Sequence, residues 1–219
     1  MRNAYLTSLI MGVFMLGAAG TAPATVYDAT TEFSIYNGNA NGVWSYGWMP
    51  TDFSEFHLYE SAQMNGLSPQ WYREGSIDYT PMIWRIDDSV ARNGVQVGQL
   101  ALHPSEDWEA SVLRWTAPDD GWCSIEGQFF AGDGGMMEVG IRQGNDWLWQ
   151  ATDDGSFSLE KTIAAGTPVD FLVYGGYYSG NTPIELDIDF SRQNAVPEPA
   201  TMMLFGVGLA GFAVRRRKK

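Results

Sequence analysis

Trp44, Tyr46 and Trp48 stand at alternate positions, and Trp147 and Trp149 repeat that spacing beside Asn145 and Asp146. In an extended strand such residues share one face, so each set lines its rings up on one side. A row of rings suits one kind of chemistry well. Sugar rings stack their apolar C–H faces on it, while Asn and Asp bond the hydroxyls. The same rows serve as core if that face turns inward. Trp71-Tyr72 and Tyr177-Tyr178 fall in expected loops, where side chains meet ligands more often. The candidate carbohydrate-binding set is Trp44, Tyr46, Trp48, Trp71, Trp147 and Trp149.

Catalytic patterns are sparse. His57 and His103 are the only histidines, and neither sits in an H-E-x-x-H setting. The chain has no G-x-S-x-G elbow and no G-x-x-x-x-G-K-[ST] phosphate loop. Paired carboxylates remain, as a glycosidase would use them. With 26 acids, some pair meets the required spacing in any fold, so proximity alone decides nothing. Asp87-Asp88, Asp119-Asp120 and Asp153-Asp154 lie at turn signals, where Asp favours the turn itself. No residue is assigned a catalytic role, and no cofactor is expected beyond a structural calcium ion. Its weak candidates are Glu32, Asp187 and Asp189, which approach one another if the first and last strands pair. Cys123 has no partner for a disulfide and reads as a small buried apolar residue.

The elements that must position these residues are strands. Between Tyr27 and Arg192 no apolar set recurs at helical spacing, and Gly, Asp and Asn interrupt the chain every 8 to 12 residues. Ile184, Leu186, Ile188 and Phe190 alternate with Glu185, Asp187 and Asp189, which predicts one dry and one wet face. Expected strands include Phe33–Tyr36, Val43–Trp48, Gln96–Leu102, Ser111–Thr116, Trp122–Phe130, Trp147–Ala151, Pro168–Tyr174 and Ile184–Phe190. Ala117-Pro118-Asp119-Asp120-Gly121 is the clearest hairpin turn. The pattern is all-β: a single jelly-roll-like antiparallel β-sandwich of about ten to twelve strands.

Both ends read as addresses. Arg2, the apolar run Ala4–Ala19 and Ala22-Pro23-Ala24 form a secretory signal peptide over residues 1–24. The sandwich then spans 25–192, and 193–199 is a linker with the Pro-Glu-Pro motif. Val196-Pro197-Glu198-Pro199 precedes an apolar segment, Ala200–Val214, expected to cross the membrane. Residues 215–219, Arg215-Arg216-Arg217-Lys218-Lys219, would stay cytoplasmic by the positive-inside rule. This tail resembles the PEP-CTERM sorting signal of Gram-negative bacteria. The resemblance implies handling by an exosortase and the export machinery. It also implies a precursor tethered to the inner membrane through its C-terminal helix, then a place at the cell surface or in the extracellular matrix. It implies nothing about the activity of the domain before it.

The middle carries a second, weaker likeness. Asn41-Gly42-Val43-Trp44-Ser45-Tyr46-Gly47, Leu100–Pro104 and Ser111–Gly127 resemble β-sandwich modules of bacterial extracellular proteins, similar in pattern to carbohydrate-binding jelly rolls. Between the two end segments lie seven of the 13 cations and, with Glu198 kept, all 26 acids, a net charge of −19. Such a domain repels anionic polymers and is no nucleic-acid binder. The expectation is a noncatalytic module that binds exopolysaccharide. A structural biofilm-matrix protein working through protein contacts, or a polysaccharide-cleaving enzyme, are the alternatives.

Overall fold

A computed structural model describes residues 24–192. The expected signal peptide (but for its last residue) and residues 193–219 lie outside the described residues. Fourteen strands run in the order β1 (Thr25–Asp28), β2 (Trp44–Met49), β3 (His57–Leu58), β4 (Ser61–Asn65), β5 (Ser68–Tyr72), β6 (Met82–Arg85) and β7 (Leu100–His103). Then follow β8 (Ala110–Thr116), β9 (Gly121–Phe129), β10 (Glu138–Gln143), β11 (Asp146–Thr152), β12 (Gly155–Ile163), β13 (Pro168–Tyr174) and β14 (Thr182–Arg192). The described helices are one turn over Ala29–Glu32 and a 3-10 turn over Ile77–Tyr79. None is long and apolar enough to cross a membrane.

The strands form two antiparallel sheets. The eight-stranded sheet runs β12-β9-β14-β7-β6-β5-β4, with β1 also on β14. The six-stranded sheet runs β11-β10-β13-β8-β2-β3. Strand β14 has two partners on one edge: β7 pairs with Thr182–Ile184, and β1 pairs with Asp187–Phe190. Its other edge follows β9 from Ile184 to Arg192. The first and last strands therefore pair, with Thr25 opposite Phe190.

The inner faces of both sheets share one core. Trp44, Tyr46, Leu113, Trp115 and Phe171 from one sheet meet Leu102, Ile125, Phe129, Ile188 and Phe190 from the other. Burial of this much apolar surface is the main force that closes the sandwich. The alternation in β14 holds: Ile184, Leu186, Ile188 and Phe190 are buried, and Glu185, Asp187 and Asp189 are exposed. Cys123 is buried as expected.

Three local expectations fail. Ala117-Pro118-Asp119-Asp120-Gly121 is not a hairpin turn; it carries the chain from β8 in the six-stranded sheet to β9 in the eight-stranded one. Phe33–Tyr36 is not a strand; Asp28 caps a helical turn instead, accepting from the backbone N–H of Thr30 at 2.8 Å and of Thr31 at 3.1 Å. Trp71-Tyr72 is not a loop. It ends β5, which pairs with β4 across a two-residue turn at Gly66-Leu67. Ser61-Ala62-Gln63-Met64-Asn65 is too polar to show the alternation of a strand, but Gly66, at φ 66°, supplies the left-handed backbone that a two-residue hairpin turn takes at its first position.

Candidate functional site

The structure separates the six candidate aromatics. Trp44, Tyr46 and Trp48 do share a face, but it is the inner face of β2. Trp44 is buried and its indole N–H donates to Glu32 Oε2 at 3.0 Å. Tyr46 is buried against Phe33, 5.0 Å between ring centroids, and burial pushes its phenol up to about 12. Neither ring is open to a ligand, which corrects the expectation for both. Trp48 is half-buried at the rim, but its ring is already covered. His57 stacks on it at 4.5 Å, and the Arg73 guanidinium lies 4.2 Å from its centroid. Trp71 is buried in a strand, with its indole N–H on the Ser34 carbonyl at 2.9 Å. An inward face is where a protein puts large aromatic area, since there it displaces the most water.

Trp147 and Trp149 do not share a face at all. Ile141 pairs with Trp149, but Arg142 pairs with Trp147, so a bulge at Leu148 breaks the register. One extra residue reverses the alternation. Trp149 turns inward and stacks on Phe129 at 5.9 Å. Trp147 turns outward and stacks on Tyr174 at 5.5 Å.

The calcium candidates are similarly divided. Asp187 stands opposite Asp28, and Asp189 opposite Val26. Glu32 is engaged by the Trp44 indole and by the Asp28 backbone N–H. Among the described residues no group of three or more His, Cys, Asp or Glu is set to hold a metal ion. Burial raises the Asp187 carboxyl above its ordinary value, and neighbouring Asp28, Asp189, Glu185 and Glu126 add to that.

Three exposed aromatics lie in loops elsewhere, at the end of the sandwich where β5, β7 and β13 finish. Three loops meet there: Arg73–Pro81, Pro104–Glu109 and Gly175–Asn181. They carry Tyr79, Trp108 and Tyr178, exposed by 51 %, 61 % and 85 %. Tyr79 and Trp108 hold φ of 61° and 65°, and Asp78 and Ser179 hold 52° and 56°. Left-handed backbone is costly for bulky side chains and persists only where the surroundings impose it.

The imposing contacts are local. In the second loop Trp108 N–H donates to the Ser105 carbonyl at 3.0 Å, and Glu109 N–H donates to Ser105 Oγ at 3.0 Å. In the first, Ser76 Oγ donates to the Arg73 carbonyl and Thr80 Oγ1 to the Ile77 carbonyl. Tyr79 packs edge-on to Tyr72 at 5.0 Å. The Tyr177 hydroxyl donates to Asp78 Oδ2 at 3.1 Å, linking the third loop to the first. Burial and that bond raise the Tyr177 phenol. Behind the third loop, buried Asn181 accepts from the Trp84 indole and donates to Asp133 through its amide and its backbone N–H. His103 packs on Tyr177 at 5.4 Å; its burial lowers its basicity.

A polar cleft of ≈ 320 Å³ lies between the first two loops, lined by Arg73, Ser76, Thr80, Ser105, Glu106 and Glu109. Arg73 forms an ion pair with Glu109 across it. Arg73 and Glu74 also wall a smaller hollow of ≈ 140 Å³ beside Trp48 and His57. His57, Leu58 and Glu60 then border a shallower depression of ≈ 630 Å³ that reaches Trp71 and Asn39. Three hollows with shared walls make a furrow, which suits an extended ligand better than a compact one. Sequence reasoning missed Trp108 and Tyr79. Trp108 had a signal: it stands alone among Glu106, Asp107 and Glu109 just after Pro104, where no strand pattern claims it.

Solved structures with some likeness to the chain are diverse. A family 35 carbohydrate binding module from Clostridium thermocellum is 11 % identical, with 36 % of this chain and 69 % of that one covered at a TM-score of 0.27. A CBM35 from Paenibacillus barcinonensis is 11 % identical, with 48 % and 87 % covered at 0.29. Pika GITRL is 18 % identical, with 42 % and 81 % covered at 0.29. Overlaps this shallow assign no function. No curated protein matches the chain. Residues 195–218 match the family model of the PEP-CTERM protein-sorting motif, which implies export sorted by an exosortase.

Proposed function

We propose that the chain is a noncatalytic polysaccharide-binding protein of the cell surface or extracellular matrix, carrying one jelly-roll-like domain. In this reading residues 1–24 are removed as a signal peptide. The apolar segment 200–214 tethers the precursor until the exosortase acts on the motif. The loop-end furrow holds the glycan. One observation carries the reading: Tyr79 and Trp108, large apolar residues, are held exposed in left-handed backbone on the two loops whose neighbouring residues line a polar cleft. Rings presented at such cost supply rigid stacking surface, and Ser76, Thr80, Ser105 and Glu106 supply hydroxyl partners.

The alternatives fit less well. A cleaving enzyme needs a carboxyl group free to give up a proton. The enclosed acid here, Glu109, is engaged by Arg73. A matrix protein that assembles through strand edges needs an open edge. The long edge strand β12 carries Glu160 and Lys161, the kind of charge that blunts such pairing.

The test is titration calorimetry of the protein with a panel of bacterial exopolysaccharides, with calcium and with EDTA. Trp108→Ala is expected to weaken the best glycan by about tenfold or more, as truncation of a central aromatic usually does. Its thermal unfolding should stay near wild type, since the ring is exposed. Binding of no glycan, or full binding by Trp108→Ala, overturns the reading.

A further inference from the structure

The outer face of the six-stranded sheet holds a buried cation with no acid. Six arginines lie in the described residues, and five have a carboxylate partner: Arg73 with Glu109, Arg85 with Asp87, Arg92 with Asp88, Arg114 with Asp170, and Arg192 with Asp119. Arg142 is the sixth and is only 5 % exposed. Its contacts are poor for a group with five donors. Nη1 donates to the Phe53 carbonyl at 3.4 Å and to the Met49 sulfur at 3.9 Å, while Nε has no partner among the described residues. Burying a charge this way is expensive unless something completes it.

The neighbours show what would. In register across three strands stand Arg114, Asp170 and Arg142. Arg114 holds both oxygens of Asp170, at 2.6 Å and 2.9 Å. Arg142 stands opposite Asp170 but makes no ion pair with it, so the row of two cations and one acid keeps a positive charge in a strongly acidic protein. Beside Arg142, Trp147 stacks on Tyr174, whose hydroxyl accepts from Gln150 Nε2 at 2.9 Å. The guanidinium lies 5.0 Å from the centroids of both Phe53 and Trp147. Phe53 is the cover on the solvent side, and it too has a left-handed backbone, φ 53°.

We infer that Arg142, Trp147 and Tyr174 form a second glycan site, separate from the loop-end furrow, selective for a sugar that bears an anionic group. The anion pairs with Arg142 once the Phe53 loop swings aside, and the sugar ring packs on the Trp147–Tyr174 wall. Arginine is the side chain suited to this, because its planar fork takes a carboxylate or sulfate through two bonds at once. The domain's overall negative charge opposes an anionic polymer at a distance. That opposition fades beyond about 8 Å at physiological salt, so contact is decided by the local row.

The test uses the full chain carrying Trp108→Ala, which removes the furrow's contribution. Polygalacturonate supplies carboxylate, dextran sulfate supplies sulfate, and dextran is the neutral control. Calorimetry is expected to show saturable binding of one anionic polymer and none of dextran. Arg142→Gln should weaken that binding at least tenfold, and Phe53→Ala should strengthen it several-fold by removing the cover. If Arg142→Gln does not fold, Phe53→Ala decides alone. Equal binding of dextran, unchanged affinity in Phe53→Ala, or full binding by a folded Arg142→Gln each overturns the inference. None of these touches the furrow reading, which stands or falls on Trp108→Ala in the otherwise unaltered chain.

Discussion

The outer faces of the two sheets share a backbone pattern and carry opposite side chains. On the eight-stranded sheet Glu126, Asp187 and Asp28 stand abreast, and Glu185 and Asp189 flank them along β14. These acids repel one another, and this part of the face is wet; across β6 and β7 the same face is dry, with Trp84, Ile86, Val95 and Ala101 buried together. On the six-stranded sheet the matching positions hold Met49, Val112 and Leu172, with Phe53, Phe56, Trp147 and Tyr174 packed on them. Strands β8, β10 and β13 are accordingly buried on both faces, while β9 and β14 alternate. In an antiparallel sandwich, alternation marks the sheet that meets water, and its loss marks a face with something on it. Here part of the cover is the Pro50–Phe56 loop, pinned by Arg142 to the Phe53 carbonyl and by Arg114, 3.8 Å from the Phe56 centroid.

The largest expected effect breaks the dry face. Leu172→Ala should destabilise the protein by about 2–5 kcal/mol in urea unfolding, because it opens a cavity at a buried position. The matched change on the wet face, Glu126→Ala, should stay within about 0.5 kcal/mol. Equal losses would remove the distinction between the faces. A middling effect comes from Gly140→Ala. A Cβ there would meet Trp147 Cζ3 at 2.5 Å, so the indole must shift or the strand must bend. Overpacking of this kind costs about 1–3 kcal/mol, and a changed tryptophan emission would report the move. The smallest effect sharpens the wet face. Asp187→Asn removes one of the crowded charges and should stabilise by no more than about 1 kcal/mol. The carboxyl's folded value is raised above 3.8, so wild type gains stability as pH falls through that value. The advantage of the variant should therefore be full at neutral pH, shrink on acidification and shrink in salt.

The wet face was legible in the sequence, and the dry one was not. Period-two alternation announces β14 because water stands on one side of it. In β13 both faces are buried, and Val169–Val173 reads only as a strand, with no hint of its two neighbours. The bulge that turns Trp147 away from Trp149 has no signature in Asp146–Trp149, since it arises from how β11 meets β10. Trp44 and Tyr46 were aligned correctly on one face, but spacing does not say whether that face looks in or out. Tyr79 and Trp108 were hidden for a related reason. Their exposure depends on three loops separated in sequence and joined by bonds such as Tyr177 to Asp78.

Strand β14 has a mechanical consequence. Its 11 residues, at about 3.3 Å each, span roughly 36 Å, from Thr182, which follows the third of the end loops, to Arg192, where the chain leaves the described fold toward the sorting motif. A glycan gripped at one end and a membrane tether pulling at the other would stretch the protein along this strand. Hydrogen bonds to β9 and β1 on opposite edges lie across that pull, so they must yield together in shear instead of unzipping singly. If the loop end holds a glycan and the tail a membrane, this strand is the tie rod between them.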